Sequence, residues 1–166
     1  FNTRMLLCEL FDAPDCKNVV FTKNVTESIN TILKGFLKAG DHILVSSMEH
    51  NCVMRPLTQL MEKGISYSLI PCENDGSIIL DAIKPLITSQ TKAVLCTHAS
   101  NVCGTILPIK KIGEICKENG ILFFLDSAQT AGILPISMKE MNIDAVAFTG
   151  HKGLLGPQGI GGFILR

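Results

Sequence analysis

Lys92-Ala93-Val94-Leu95-Cys96-Thr97, then the stretch 108–120, then Ile121-Leu122-Phe123-Phe124-Leu125-Asp126, together decide the fold. The outer pieces are short and almost wholly apolar, the pattern of strands covered on both faces. Between them Ile109, Ile112 and Cys116 recur at helical spacing, opened by Pro108 and closed by Gly120. Strand, helix, strand in that order makes a parallel crossover unit.

The same alternation runs outward in both directions. Residues 19–22 read as a strand and 26–39 as a helix, with Ile29, Ile32, Leu33, Phe36 and Leu37 on one stripe and Gly40 as the stop. A strand at 42–46 precedes a helix around Val53, Leu57, Leu60 and Met61 that ends at Gly64. A weaker strand at 66–71 and a short helix at 80–87, interrupted by Pro85, lead into the opening unit. Beyond it, 145–148 and 162–165 read as strands. The sum is an α/β fold of three layers, αβα, around a mostly parallel, doubly wound sheet, forming a single domain over 1–166.

Composition narrows the function classes. Apolar residues make up 46% and charged residues 18%, and the 15 basic and 15 acidic side chains cancel. No basic stripe is offered to nucleic acid or an anionic membrane. The longest charge-free stretch, 93–109, carries Thr97, His98, Ser100, Asn101 and Pro108 and is too polar for a membrane span. Seven cysteines, without CxxC or Cys/His ligand spacing, suit reduced, mostly buried thiols in a cytosolic protein. The first residues lack an initiator Met and a signal-peptide pattern, and the last read as a strand without a closing element. A fragment incomplete at both ends is therefore expected.

Ligands of doubly wound sheets bind beyond the carboxyl ends of the strands. The polar residues that fall there are Asn24 and Thr26, His50, Asn101, Asp126 and Gln129, and His151 and Lys152. Lys152 and Asp126 end neighbouring strands, one an amine and one a carboxylate. A cofactor anchored by a lysine Schiff base, with an acid opposite its ring nitrogen, is pyridoxal phosphate. Asn24-Val25-Thr26 at a strand-to-helix junction offers free amides to a phosphate, with Thr149 and His151 donating from the other side. His50 is placed to stack on an aromatic ring and move protons. Asn101 is the candidate for a ring hydroxyl or substrate carboxylate. His98 is read as structural, and Cys103 as a small wall residue. The plain alternatives are a surface lysine in a glycine turn and an aspartate capping the helix after its strand.

These segments resemble the class V aminotransferase family, and within it the cysteine desulfurase and selenocysteine lyase branch. The pieces that carry the likeness are Thr26-Glu27-Ser28-Ile29-Asn30, Glu49-His50-Asn51 and Ser100-Asn101-Val102-Cys103-Gly104-Thr105. Asp126-Ser127-Ala128-Gln129 and Thr149-Gly150-His151-Lys152, with the Gly-Pro-x-Gly-x-Gly run behind it, complete the set. The resemblance implies Lys152 as Schiff-base residue and proton carrier, Asp126 at the pyridine nitrogen and Gln129 at the ring oxygen. It places His50 on the ring and phosphate on Val25, Thr26, Thr149 and His151. It further implies a homodimer that converts L-cysteine to L-alanine, passing sulfur to an enzyme cysteine as a persulfide for iron–sulfur cluster assembly and related acceptors. The family's smaller C-terminal domain, with the persulfide cysteine and the substrate-carboxylate arginine, has no counterpart among these residues. Rival readings are another class V activity (aminotransferase, selenocysteine lyase, kynureninase-like lyase) and a non-catalytic nucleotide-binding module. The last lacks both a G-x-G-x-x-G after the first strand and a P-loop.

Overall fold

The computed structural model describes residues 2–166. They form one seven-stranded sheet, built from β1 (Val19–Thr22), β2 (His42–Ser46), β3 (Ser66–Ile70), β4 (Thr91–Thr97), β5 (Leu122–Asp126), β6 (Ala145–Thr149) and β7 (Gly161–Leu165), in the order β1-β7-β6-β5-β4-β2-β3. Only β7 is reversed, antiparallel to β1 and β6; the other pairings are parallel. Six strands therefore end on one edge.

Five α-helices cover the faces: α1 (Asn2–Leu10), α2 (Val25–Phe36), α3 (Asn51–Met61), α4 (Ile83–Leu86) and α5 (Ile109–Glu118). Successive strand residues serve opposite layers. Ile43, Val45, Ala93 and Leu95 pack with Ile29 and Leu33 of α2 and Val53 and Leu57 of α3. Leu44, Val94 and Cys96 pack with Phe11, Ile83 of α4 and Ile112 of α5. That two-sided burial is why these strands read as unbroken apolar runs; each fully buried Leu or Ile contributes about 1.5–3 kcal/mol.

Several elements differ from the sequence reading. Helix α2 stops at Phe36 rather than Ala39. Leu37 turns extended (φ −78°, ψ 139°) and the Asp41 carboxylate takes the Lys38 N–H at 2.8 Å, a side-chain bond that competes with the helix ladder. Pro108 caps α5 from outside rather than opening its first turn. The 80–87 segment splits into a 3-10 turn, Leu80–Ala82, and α4, with Pro85 inside the first turn where its missing N–H costs nothing. No α-helix follows β5; turns carry the chain from Ser127 toward β6, so Asp126 caps no helix. Helix α1 lies in a segment without a readable apolar stripe.

Register brings the strand ends level. Thr97 pairs with Asp126, Asp126 with Ala147, and Gly161 with both Thr22 and Thr149. Helices α3 and α5 lie on opposite faces although β2 and β4 are neighbours. The sheet's topological switch point is thus the β2–β4 crevice.

Candidate active site

Beyond that edge lies a cavity of about 260 Å³ lined by Val25, Thr26, His50, Asn101, Asp126, Gln129, Thr149, His151 and Lys152. The residues assigned to the cofactor from the sequence all meet in it. Asn24, Cys52, Thr97, Ala99 and Ala128 complete the wall.

One end is the start of α2. Asn24 caps it, its side-chain oxygen accepting from the Glu27 amide at 2.9 Å, while the Glu27 carboxylate reaches back to the Lys23 amide at 2.7 Å. These two bonds turn the acid away from the cavity and leave the Val25 and Thr26 amides without an intrahelical acceptor. Such a terminus favours an anion by about 0.3–1 kcal/mol, more where partly buried. Thr149 is buried beside it and its hydroxyl meets His151 Nδ1 at 3.1 Å. Gly161 presses on the same turn; a Cβ there would lie 2.7 Å from Asn24 Cα.

The floor is Asp126, 3% exposed. Its Oδ1 accepts from the Ala128 amide at 2.9 Å and its Oδ2 from the Cys52 thiol at 3.5 Å. Burial pushes this carboxyl above its ordinary range, and those two donors with the Lys152 charge pull the other way. No cation is within ion-pairing distance of it among the described residues.

Lys152 is half-buried and forms no ion pair among the described residues. Its glycine neighbours make room for backbone. A Cβ on Gly153 would fall 2.5 Å from the Ala131 carbonyl, and one on Gly150 3.0 Å from that of Ile160. The lysine turn is therefore seated on the segments around 131–133 and 160.

His50 is the N-cap of α3, and its Nδ1 accepts the Cys52 amide at 3.1 Å. A ring nitrogen that accepts a backbone N–H carries no proton, so the tautomer is Nε2–H and only that side can exchange protons with a ligand. Asn101 is exposed in a turn fixed by Ser100, whose hydroxyl accepts the Val102 and Cys103 amides at 3.2 and 3.4 Å. Its own amide bonds nothing among the described residues. His98 is buried and bonded to Thr130 at 2.9 Å, a structural role. Cys103, read as a small wall residue, is exposed and is not among the residues that line the cavity. Cys52 and Thr97 escaped the sequence reading; their one signal was proximity to His50 and to the end of the Lys92 run.

Free amides, a half-buried amine and a desolvated carboxylate without a cation are the donor set a phosphorylated aromatic aldehyde with a protonated ring nitrogen needs, so these residues fit pyridoxal phosphate. No helix among the described residues is long and apolar enough to cross a membrane, and no His/Cys/Asp/Glu cluster among them suits a metal ion.

Comparison with known proteins agrees. Cysteine desulfurase IscS of Rickettsia prowazekii is 37% identical over 169 residues, covering 99% of this chain and 41% of that protein. The apo cysteine desulfurase of Thermococcus onnurineus NA1 superposes with a TM-score of 0.92 at 32% identity, over 99% of this chain and 42% of that one. A mutant of C-DES with glycine covalently linked to its PLP cofactor superposes at 0.86 and 28%, over 98% and 44%. The chain spans about two fifths of the length of the curated relative. The aminotransferase class-V model matches residues 1–166, and the chain belongs to that family.

Proposed function

We propose that residues 1–166 are the cofactor-binding domain of a pyridoxal-phosphate-dependent cysteine desulfurase. The observation that carries this reading is one cavity in which the Lys152 amine and the buried Asp126 carboxylate meet the free amides of α2. Relatives named for cysteine desulfuration support the choice of substrate. Overall, L-cysteine and a thiol give L-alanine and a persulfide: the Cβ–S bond breaks, an S–S bond forms, and Cβ takes up a proton.

Bound in this cavity, the cofactor supplies an aldehyde for the lysine and a conjugated ring that takes up substrate electrons. The chain's own residues do the rest. The Val25 and Thr26 amides, with Thr149 and His151, bind the phosphate. Asp126 holds a proton on the ring nitrogen, its desolvated charge offset by that partner. His50 covers the ring face and presents Nε2–H toward the substrate. Gln129 donates to the ring oxygen, and Asn101 to the ring hydroxyl or the substrate carboxylate. Lys152 Nζ would hold the cofactor through its aldehyde and, as a free amine, would carry protons to and from the substrate Cα. A homodimer, a sulfur-accepting protein and a cytosolic setting belong to the same proposal; the unpaired cysteines suit a reducing compartment.

Borohydride reduction of the full-length protein loaded with pyridoxal phosphate, followed by peptide mapping, tests this. The pyridoxyl adduct is expected on Lys152 and absent from Lys152→Ala. An adduct elsewhere, or none, overturns the cofactor site. Alanine released from added L-cysteine is expected; its absence with the adduct on Lys152 removes the desulfurase reading alone.

A further inference from the structure

We infer that Glu49 is a positioning residue, a neutral acid that ties the carboxyl ends of β2 and β4 together across the switch point and leaves Asp126 as the negative charge of the cavity floor. The second half of this inference rests on the proposed cofactor reading.

The geometry of the carboxyl is lopsided. Oε1 accepts both the Thr97 amide of β4, at 2.8 Å, and the Ser46 hydroxyl of β2. The Ser46 oxygen in turn accepts the Met48 amide at 3.2 Å, so one side chain organises the whole exit of β2. Oε2 is enclosed and has no partner among the described residues. A carboxylate with a bare, buried oxygen is far more costly than the neutral acid. The titratable groups facing it from the packed elements are Asp126 on β5, Cys96 on β4 and Cys52 on α3, none of them a cation. Burial first, and the Asp126 charge after it, raise the Glu49 acid to about 8, against the opposing pull of Ser46 and Thr97.

Its position gives the clamp a purpose. The β2–β4 ladder pairs as far as Val45 and Leu95, and beyond it, where the following helices leave on opposite faces, Glu49 bridges the two exits. His50 follows Glu49 directly, and Thr97 and Ala99 line the cavity on the other bank, with the Thr97 hydroxyl donating to the Ala99 carbonyl at 2.9 Å. Holding Thr97 to β2 fixes the width of the slot between His50 and the floor. A second ionised acid there would compete with Asp126 for the same ring cation.

The test uses the full-length protein and two variants, E49Q and E49A. Glutamine keeps a carbonyl acceptor for Thr97 and Ser46 and copies the neutral acid; alanine leaves the Thr97 amide unpaired. Pyridoxal phosphate affinity of E49Q is expected within about threefold of the parent, with the parent's visible circular dichroism, whereas E49A loses roughly tenfold or more. Unfolding of the cofactor-free protein supplies an independent readout. A group raised in the folded state contributes stability that is full below its ordinary value of 4.5 and is lost as pH rises through about 8. The parent should therefore lose ground to E49Q across that window and run parallel to it above. A flat difference, or E49Q failing to bind as badly as E49A, overturns the inference. If the parent itself binds no pyridoxal phosphate, the cofactor reading fails, and the unfolding window still decides the state of Glu49.

Discussion

The Cys52 thiol sits 3.5 Å from Asp126 Oδ2, pointing a proton at the oxygen not occupied by the Ala128 amide. Burial and the adjacent carboxylate push that thiol far above its ordinary range, so it acts as a neutral donor and not a nucleophile. Removing it leaves the charged form of Asp126 with one donor fewer. Cys52→Ala should therefore raise the Asp126 midpoint, and Cys52→Ser, a stronger donor, should lower it, each by less than about one pH unit. The acid limb of pyridoxal phosphate affinity reads this directly, moving up in C52A and down in C52S. Superimposable profiles for both variants would contradict the assignment.

Gly161 is a second lever on the cavity. A Cβ there would fall 2.7 Å from Asn24 Cα and 2.9 Å from the Phe148 carbonyl, so it would press on backbone from two sides. Gly161→Ala should cost about 1–3 kcal/mol of stability and shift the Val25 and Thr26 amides, weakening both inorganic phosphate and cofactor binding. Gly162→Ala meets the Phe148 ring and the Val20 carbonyl instead. It is expected to destabilise without a matching loss of phosphate affinity. Urea unfolding and phosphate titration on both variants separate the two effects, and equal affinity losses would show that the α2 turn is not what Gly161 protects.

The difference between what the sequence told and what it withheld has a physical basis. Strands buried on both faces leave continuous apolar runs, so β4, β5 and β6 were readable, and their polar terminal residues marked the site edge. Lys152 and Asp126 were found because amine and carboxylate end adjacent runs. The reversed direction of β7 left no mark, since a reversed strand buried on both faces has the same composition as a parallel one. The early stop of α2 depends on Asp41 capturing an amide three residues back, a local bond invisible to periodicity. Cys52 and Glu49 act through contacts with residues 74 and 48 positions away, and no local pattern records those.

Cys103 carries a prediction of its own. The thiol is exposed, and hydrogen bonding with the Ser100 and Thr105 side chains draws it down to about 7. Cys96 and Cys116 are buried and pushed up, the latter to about 12. Iodoacetamide at neutral pH should label Cys103 first, with a rate that rises through a midpoint near 7, and Ser100→Ala should move that midpoint upward. Peptide mass spectrometry over time resolves the order. Earlier labelling of Cys8 or Cys16 would show that the turn does not activate the thiol.

Two buried histidines set the acid side of stability. His42 bridges Thr91 and Ser68, at 2.8 and 3.0 Å, and His98 is held by Thr130. Burial lowers both below the ordinary 6.5. As pH falls below that value the unfolded chain takes up protons first, so each histidine contributes stability above about 6.5 that is lost progressively toward its folded value. Glu49 and Asp126, raised by burial, act in the opposite sense over part of this range, so the raw melting curve mixes the two. Differences from the variants isolate the histidines. Replacement by asparagine removes the titration, and the gap between parent and H42N, or parent and H98N, should narrow as pH drops from 7 toward 5. The double variant should show about the sum, since the two rings contact different hydroxyls and share no partner. A gap that stays constant with pH would mean that these rings titrate alike in the folded and the unfolded chain, and one that widens would mean that they hold a proton in the folded protein; either outcome contradicts the assignment.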